Sequence, residues 1–187
     1  VSNSSVVAVG EIGLDYRPGF VEQVDQKTRQ LDLFDAQLQI AKSRQKPVIL
    51  HSVRANDDVA ARIRRIGFGY GGVVHAFSGS RQQAEKFLEL GLKLGLGGSF
   101  THARAERMRR LIKELPMSSW LLETDAPDMP PAFSSIWRNT PEFIPLLASA
   151  ASKLSGSSMS EFCHQQWQSL LSVFPTLSNR IKSNHKD

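Results

Sequence analysis

Five short apolar runs recur along the chain: VVAVG (6–10), PVILH (47–51), GVVHAF (72–77), LKLGLGG (92–98) and WLLET (120–124). Each is nearly continuous in apolar character, as expected of parallel strands covered on both faces. Between them the apolar spacing changes to three and four. Val24, Leu31, Phe34, Leu38 and Ala41 mark one helix face. Asn56 and Asp57 are placed to cap a helix carrying Val59, Ala60 and Ile63, with Gly67 as its stop. Ser80 and Gln83 form a capping box ahead of Ala84, Phe87 and Leu88, and Gly91 ends that helix. Met108, Leu111, Ile112 and Leu115 mark the next, which Pro116 terminates. Thr140–Pro141 and Ser158–Glu161 open two more, the last with Phe162, Leu170 and Leu171 as its apolar face. This strand–helix alternation predicts a parallel α/β fold. One domain over 1–175 is expected, with a polar, frayed tail over 176–187.

The informative polar residues stand where the runs stop. Glu11 follows VVAVG, His51 ends PVILH, His75 ends GVV and Asp125 follows WLLET. Parallel α/β enzymes build their sites at the carboxyl ends of strands, so all four are expected on one face. LKLGLGG contributes only glycine there. Two imidazoles and two carboxylates make a donor set for Zn²⁺, Mn²⁺ or a similar ion, which would offset the cost of burying charge. Singly, each has a plainer reading: a hydrogen-bonded structural His, or an acid capping a helix or holding a loop.

Composition changes this picture little. The chain has 187 residues, 41% hydrophobic and 22% charged, ordinary for a globular domain. With Cys163 as the one cysteine, no internal disulfide is possible. No apolar run approaches the roughly 20 residues of a membrane span. No secretory signal precedes the fold, so a cytoplasmic location is expected. The chain opens on Val1 rather than Met, which suggests a segment upstream. Net charge is +5, with basic clusters at Arg62, Arg64 and Arg65 and at Arg104, Arg107, Arg109 and Arg110. Such charge favours phosphate-bearing ligands, although Arg on a solvated helix face is routine.

GEIG and GLGG lack dinucleotide-fingerprint spacing, and Ser78 is not in a G-x-S-x-G context. Cys163 beside Phe162 is expected in the core, and Trp120, Trp137 and Trp167 are expected to pack.

GEIGLDY (10–16), KPVILHS (46–52), GVVHAFSGS (72–80), LKLGLGG (92–98) and LLETDAPDMP (121–130) resemble, in order, the signature blocks of the TatD family. RNTPEFIP (138–145) is similar to the block after that family's last strand. The family comprises metal-dependent hydrolases on a TIM-type (β/α)8 barrel, many described as deoxyribonucleases. The resemblance implies two divalent ions (Zn, Mg or Mn) per intact site. Glu11 would bridge them, His51 and His75 would hold one, and Asp125 would hold the other and accept a proton from the attacking water. Glu123, Asp15 and Tyr16 take supporting places. Arg54, Arg104 and Ser78 are expected at the substrate, DNA or another phosphodiester. An intact barrel is expected to be monomeric and free of membrane.

The family opens with an H-x-H pair that this sequence lacks. The five strands here correspond to the fourth through eighth, so about three βα units, roughly 80–90 residues, are expected to be missing. An intact parent is expected to be a nuclease. The chain alone is expected to be such an incomplete barrel, a fragment, with a non-catalytic remnant as the alternative. An amidase or lactonase of the wider amidohydrolase-like group is a third reading. Smaller departures are Val53 where the family often has Arg directly after HS, and FTHARA (100–105) in place of an aromatic–Pro–Arg version.

Overall fold

The computed structural model describes residues 5–134 and 138–177. Trp137 and the tail from 178 onward lie outside them. Five parallel strands form one sheet in sequential order. They are β1 (Val9–Asp15), β2 (Val48–Val53), β3 (Gly72–Val74), β4 (Leu92–Leu96) and β5 (Trp120–Leu122). Between and after them run α1 (Val24–Ser43), α2 (Asn56–Ile66), α3 (Arg81–Glu89), α4 (Glu106–Glu114), α5 (Ile144–Ser155) and α6 (Met159–Val173). This is the expected α/β winding. Among the described residues β1 and β5 each pair on one side only. No helix among the described residues is long and apolar enough to cross a membrane.

Local chemistry sets the helix ends. The Ser80 and Ser158 hydroxyls accept from the Gln83 and Glu161 backbone N–H groups, completing both capping boxes. Gly67 ends α2 in the left-handed conformation that a side chain disfavours. Asn56 corrects its expected role. It is the first helical residue, and its buried amide meets Ser52 and Gln83 instead of capping.

Register explains the core and prepares the site. Leu50, Val74, Leu94 and Trp120 stand opposite one another across β2–β5. They face the helices, where Phe34, Leu38, Ile63, Phe87 and Phe162 complete the main core. Burying each such side chain contributes about 1.5–3 kcal/mol. The opposite, inner face carries Ile49, Val73 and Leu121, which pack against Leu170, Val173, Phe174 and Leu177. Leu177 is therefore packed, although it falls within the expected frayed tail.

The first strand differs from its expected span. VVAVG covers only the start of β1, which continues to Asp15 and shifts register between Val9 and Ile12. Glu11 thus sits inside the strand at that irregularity, not beyond its end. Gly13 lies against His51 so closely that an ideal Cβ would stand 1.9 Å from the His51 carbonyl oxygen. Two helix readings also change: Cys163 is exposed, and so is Trp167, while Trp120 is buried as expected.

Candidate metal and hydrolase site

The parallel ladder places the two histidines side by side. Leu50 pairs with Val74, and the His75 N–H donates to the Leu50 carbonyl at 2.9 Å, so His51 and His75 follow in the next layer. Each ring lies between two carboxylates. His51 Nδ1 stands 2.7 Å from Glu11 and Nε2 stands 3.0 Å from Asp15. His75 Nδ1 is 3.1 Å from Glu123 and Nε2 is 3.2 Å from Asp125.

The two groups form one electrostatic site. The hydrogen bond to Glu123 lifts the His75 imidazole to about 9; burial opposes this, and the charges of Glu123, Asp125 and Glu11 reinforce it. Burial raises the Asp125 carboxyl. His75 opposes that, while Glu123, Glu11 and Asp128 add to it. The acids outnumber the imidazoles, which makes the strand ends electronegative.

Glu123 is held from two sides. Its other oxygen accepts the Ala76 N–H at 2.6 Å. Its carboxylate lies over β4, where a Cβ on Gly95 would come within 2.7 Å of it. Glycine in LKLGLGG thus makes room for the group that orients His75. Asn139 fixes the Asp125 loop by donating to the Thr124, Asp128 and Met129 carbonyls. Positive φ angles gather at the strand ends, 56° at Arg54, 44° at Ala76 and 59° at Asp125. Such strain costs about 1–3 kcal/mol per residue and often marks functional loops.

The structure brings Glu11, His51, His75 and Asp125 to one face but as two pairs, Glu11–His51 and His75–Asp125. Among the described residues, no three His, Cys, Asp or Glu side chains form a group that could hold a metal ion. By type, however, the donors fit a divalent cation: imidazole nitrogens and carboxylate oxygens in an electronegative setting. Arg54 lines a cleft of about 650 Å³ and Arg104 a second of about 610 Å³, while Ser78 lines both. Among the described residues, no hydrogen bond or ion pair joins these three side chains to the paired groups.

Asp15 has a larger part than its sequence position suggests. Its alternation with Glu11 and Gly13 along β1 was the available signal. Burial works to raise its carboxyl, but bonds from the Arg17 side chain and backbone and from His51 bring it down to about 2. A depressed carboxyl stabilises the fold at pH values above its unfolded pKa and loses that contribution as pH falls through the folded one. Asp15→Asn is expected to lower stability by about 2 kcal/mol at neutral pH. The gap to the parent should shrink between about pH 4 and pH 2 in urea titrations. A gap that persists unchanged at pH 2 would exclude the charge as its cause.

A sequence profile of the TatD related DNase family matches residues 1–175. The chain belongs to that family. The crystal structure of YJJV, a TatD homologue from Escherichia coli K12, superposes with a TM-score of 0.82 at 42% identity, covering 91% of this chain and 64% of that one. A TatD-family hydrolase from Entamoeba histolytica shares the fold at 22% identity and a TM-score of 0.76, covering 90% of this chain and 63% of that one. The curated E. coli relative YjjV, named an uncharacterized metal-dependent hydrolase, is 52% identical over 127 residues, 68% of this chain and 48% of its own length. TatD of Pantoea sp., named a 3'-5' ssDNA/RNA exonuclease, is 39% identical over 150 residues, 76% of this chain and 56% of its own. This TatD-family chain therefore spans about half the length of these curated relatives.

Proposed function

We propose that the chain carries the strand-end half of a divalent-metal-dependent phosphodiesterase acting on nucleic acid. The observation that supports this most is the pair of histidines, each set between carboxylates, whose chain neighbours Ser52 and Ala76 line clefts that also carry arginine. Glu11, His51, His75 and Asp125 would hold the metal, Glu11 beside His51 and Asp125 beside His75. A divalent ion, once bound, supplies Lewis-acid polarisation and activates water. The chain's own residues do the rest. Glu123 and Asp15 hold the imidazole rings in orientation. Asp125, its carboxyl raised by burial, accepts the proton of the attacking water. The Arg54 and Arg104 guanidinium groups donate to phosphate oxygens, and Ser78 offers a hydroxyl between them.

A second reading is metal binding without turnover, favoured by the separation of the donors into two pairs with no three-donor group among the described residues. One experiment separates the readings. The purified chain is stripped with EDTA, resupplied with Mg²⁺, Mn²⁺ or Zn²⁺, and offered a labelled single-stranded oligonucleotide, an amide and a lactone. Ion-dependent oligonucleotide cleavage is expected. Metal uptake with every substrate untouched would establish the second reading, and turnover of amide or lactone alone would move the chain to another hydrolase class.

A further inference from the structure

The two clefts share a wall made of Ala76, Ser78 and Arg107. We propose that they form one track for a polynucleotide strand, with Arg107 on the dividing ridge holding a phosphate away from the reacting position. This rests on the phosphodiester reading above and extends it from a single ester to a strand. Arg107 belongs to both clefts, Arg54 to the first and Arg104 to the second.

Size is the first argument. The clefts measure about 650 and 610 Å³, each within the ~300–1,000 Å³ that holds a small organic ligand. One phosphate ester would leave most of the joined space empty, whereas consecutive nucleotides fill it.

Charge is the second. Among the described residues, Arg54, Arg104 and Arg107 make no ion pair or hydrogen bond from their side chains. The acids of the first cleft, by contrast, are already paired. Asp57 meets Lys86 and Gln83, and Asp58 meets Lys27 and Tyr16. The arginines thus keep their donor forks for a ligand, and the acids are screened from it.

Position is the third. Arg107 stands in the first turn of α4, where a cation opposes the helix dipole. An anion lying across the ridge reverses that local penalty. The exposed Ser78 hydroxyl on the same ridge adds a neutral donor.

The test needs no hydrolysis. Binding of fluorescein-labelled oligothymidylates (a dinucleotide and an octanucleotide) to the full chain is followed by anisotropy in EDTA across a salt series. The octanucleotide is expected to bind much more tightly than the dinucleotide. Arg107→Ala should weaken octanucleotide binding about three- to tenfold and lower the log–log salt slope by about 0.7, the value for one phosphate contact on a single strand. Arg107→Lys should keep the slope. Arg110→Ala, on the same helix but outside both clefts, should match the parent.

Equal losses from Arg107→Ala and Arg110→Ala would reduce the effect to diffuse helix charge and overturn the track. So would the absence of any length dependence, or of any binding. If the track behaves as expected but no ion supports cleavage, the hydrolase reading fails alone. If cleavage is ion-dependent and Arg107→Ala changes nothing, the track fails alone.

Discussion

Replacing Glu123 by glutamine is expected to lower divalent-metal affinity and cleavage about 10- to 100-fold, the usual effect of losing the partner that orients a metal-binding histidine. Glutamine keeps the size of the side chain and an oxygen for the Ala76 N–H. It loses the negative charge that faces His75 Nδ1 at 3.1 Å. The ring then lacks the acceptor that holds its orientation, and the strand ends become less electronegative. His75→Ala removes the donor itself and should abolish measurable binding. Isothermal titration with Mn²⁺ on all three proteins, with thermal unfolding as a check on folding, gives the order parent, Glu123→Gln, His75→Ala. Parental affinity in Glu123→Gln would leave Glu123 as a loop-holder for Ala76 and nothing more.

The second large effect is on stability. Gly13→Ala is expected to cost about 3–5 kcal/mol, a large share of the ~5–15 kcal/mol that holds a domain together. The new Cβ would stand 1.9 Å from the His51 carbonyl oxygen, a backbone atom that cannot move without shifting β2. Its φ of 152° is also one that residues with side chains rarely adopt. Because the obstruction is His51 itself, the surviving folded fraction should bind metal poorly. Gly69→Ala is the control, since open space surrounds that position. Denaturant midpoints decide the matter: equal costs at the two sites would disprove the tight β1–β2 approach.

The parts of the fold legible in the sequence were those governed by a single local rule. Continuous apolar runs placed β2 to β5, and capping boxes placed the starts of α3 and α6. His51 and His75 could be read because equivalent ends of neighbouring parallel strands must lie together. Glu11 does lie beside His51, but inside the strand rather than beyond its end, since the register shift after Val9 has no apolar signature. The misreading of α6 has a different cause. Its buried residues are Phe162, Gln166, Ser169 and Val173, a face that includes two polar side chains. Gln166 is there because its carbonyl accepts the Leu122 N–H at the end of β5. A helix that must satisfy the backbone of a strand cannot be apolar on that side, so Trp167 and Cys163 turn outward.

That last helix also bears on how the chain reaches this shape during synthesis. Each strand pairs with the one made just before it, so the sheet and its helix-covered side can assemble from the amino end as residues emerge. The other side cannot. Ile49 and Val73 wait for Val173 and Phe174, about a hundred residues later in the chain. Until then an apolar surface stays wet beside the nascent histidine pair. Among the described residues it is Val173 and Phe174 that cover this side, so cutting the chain before Val173 is expected to leave it adhesive.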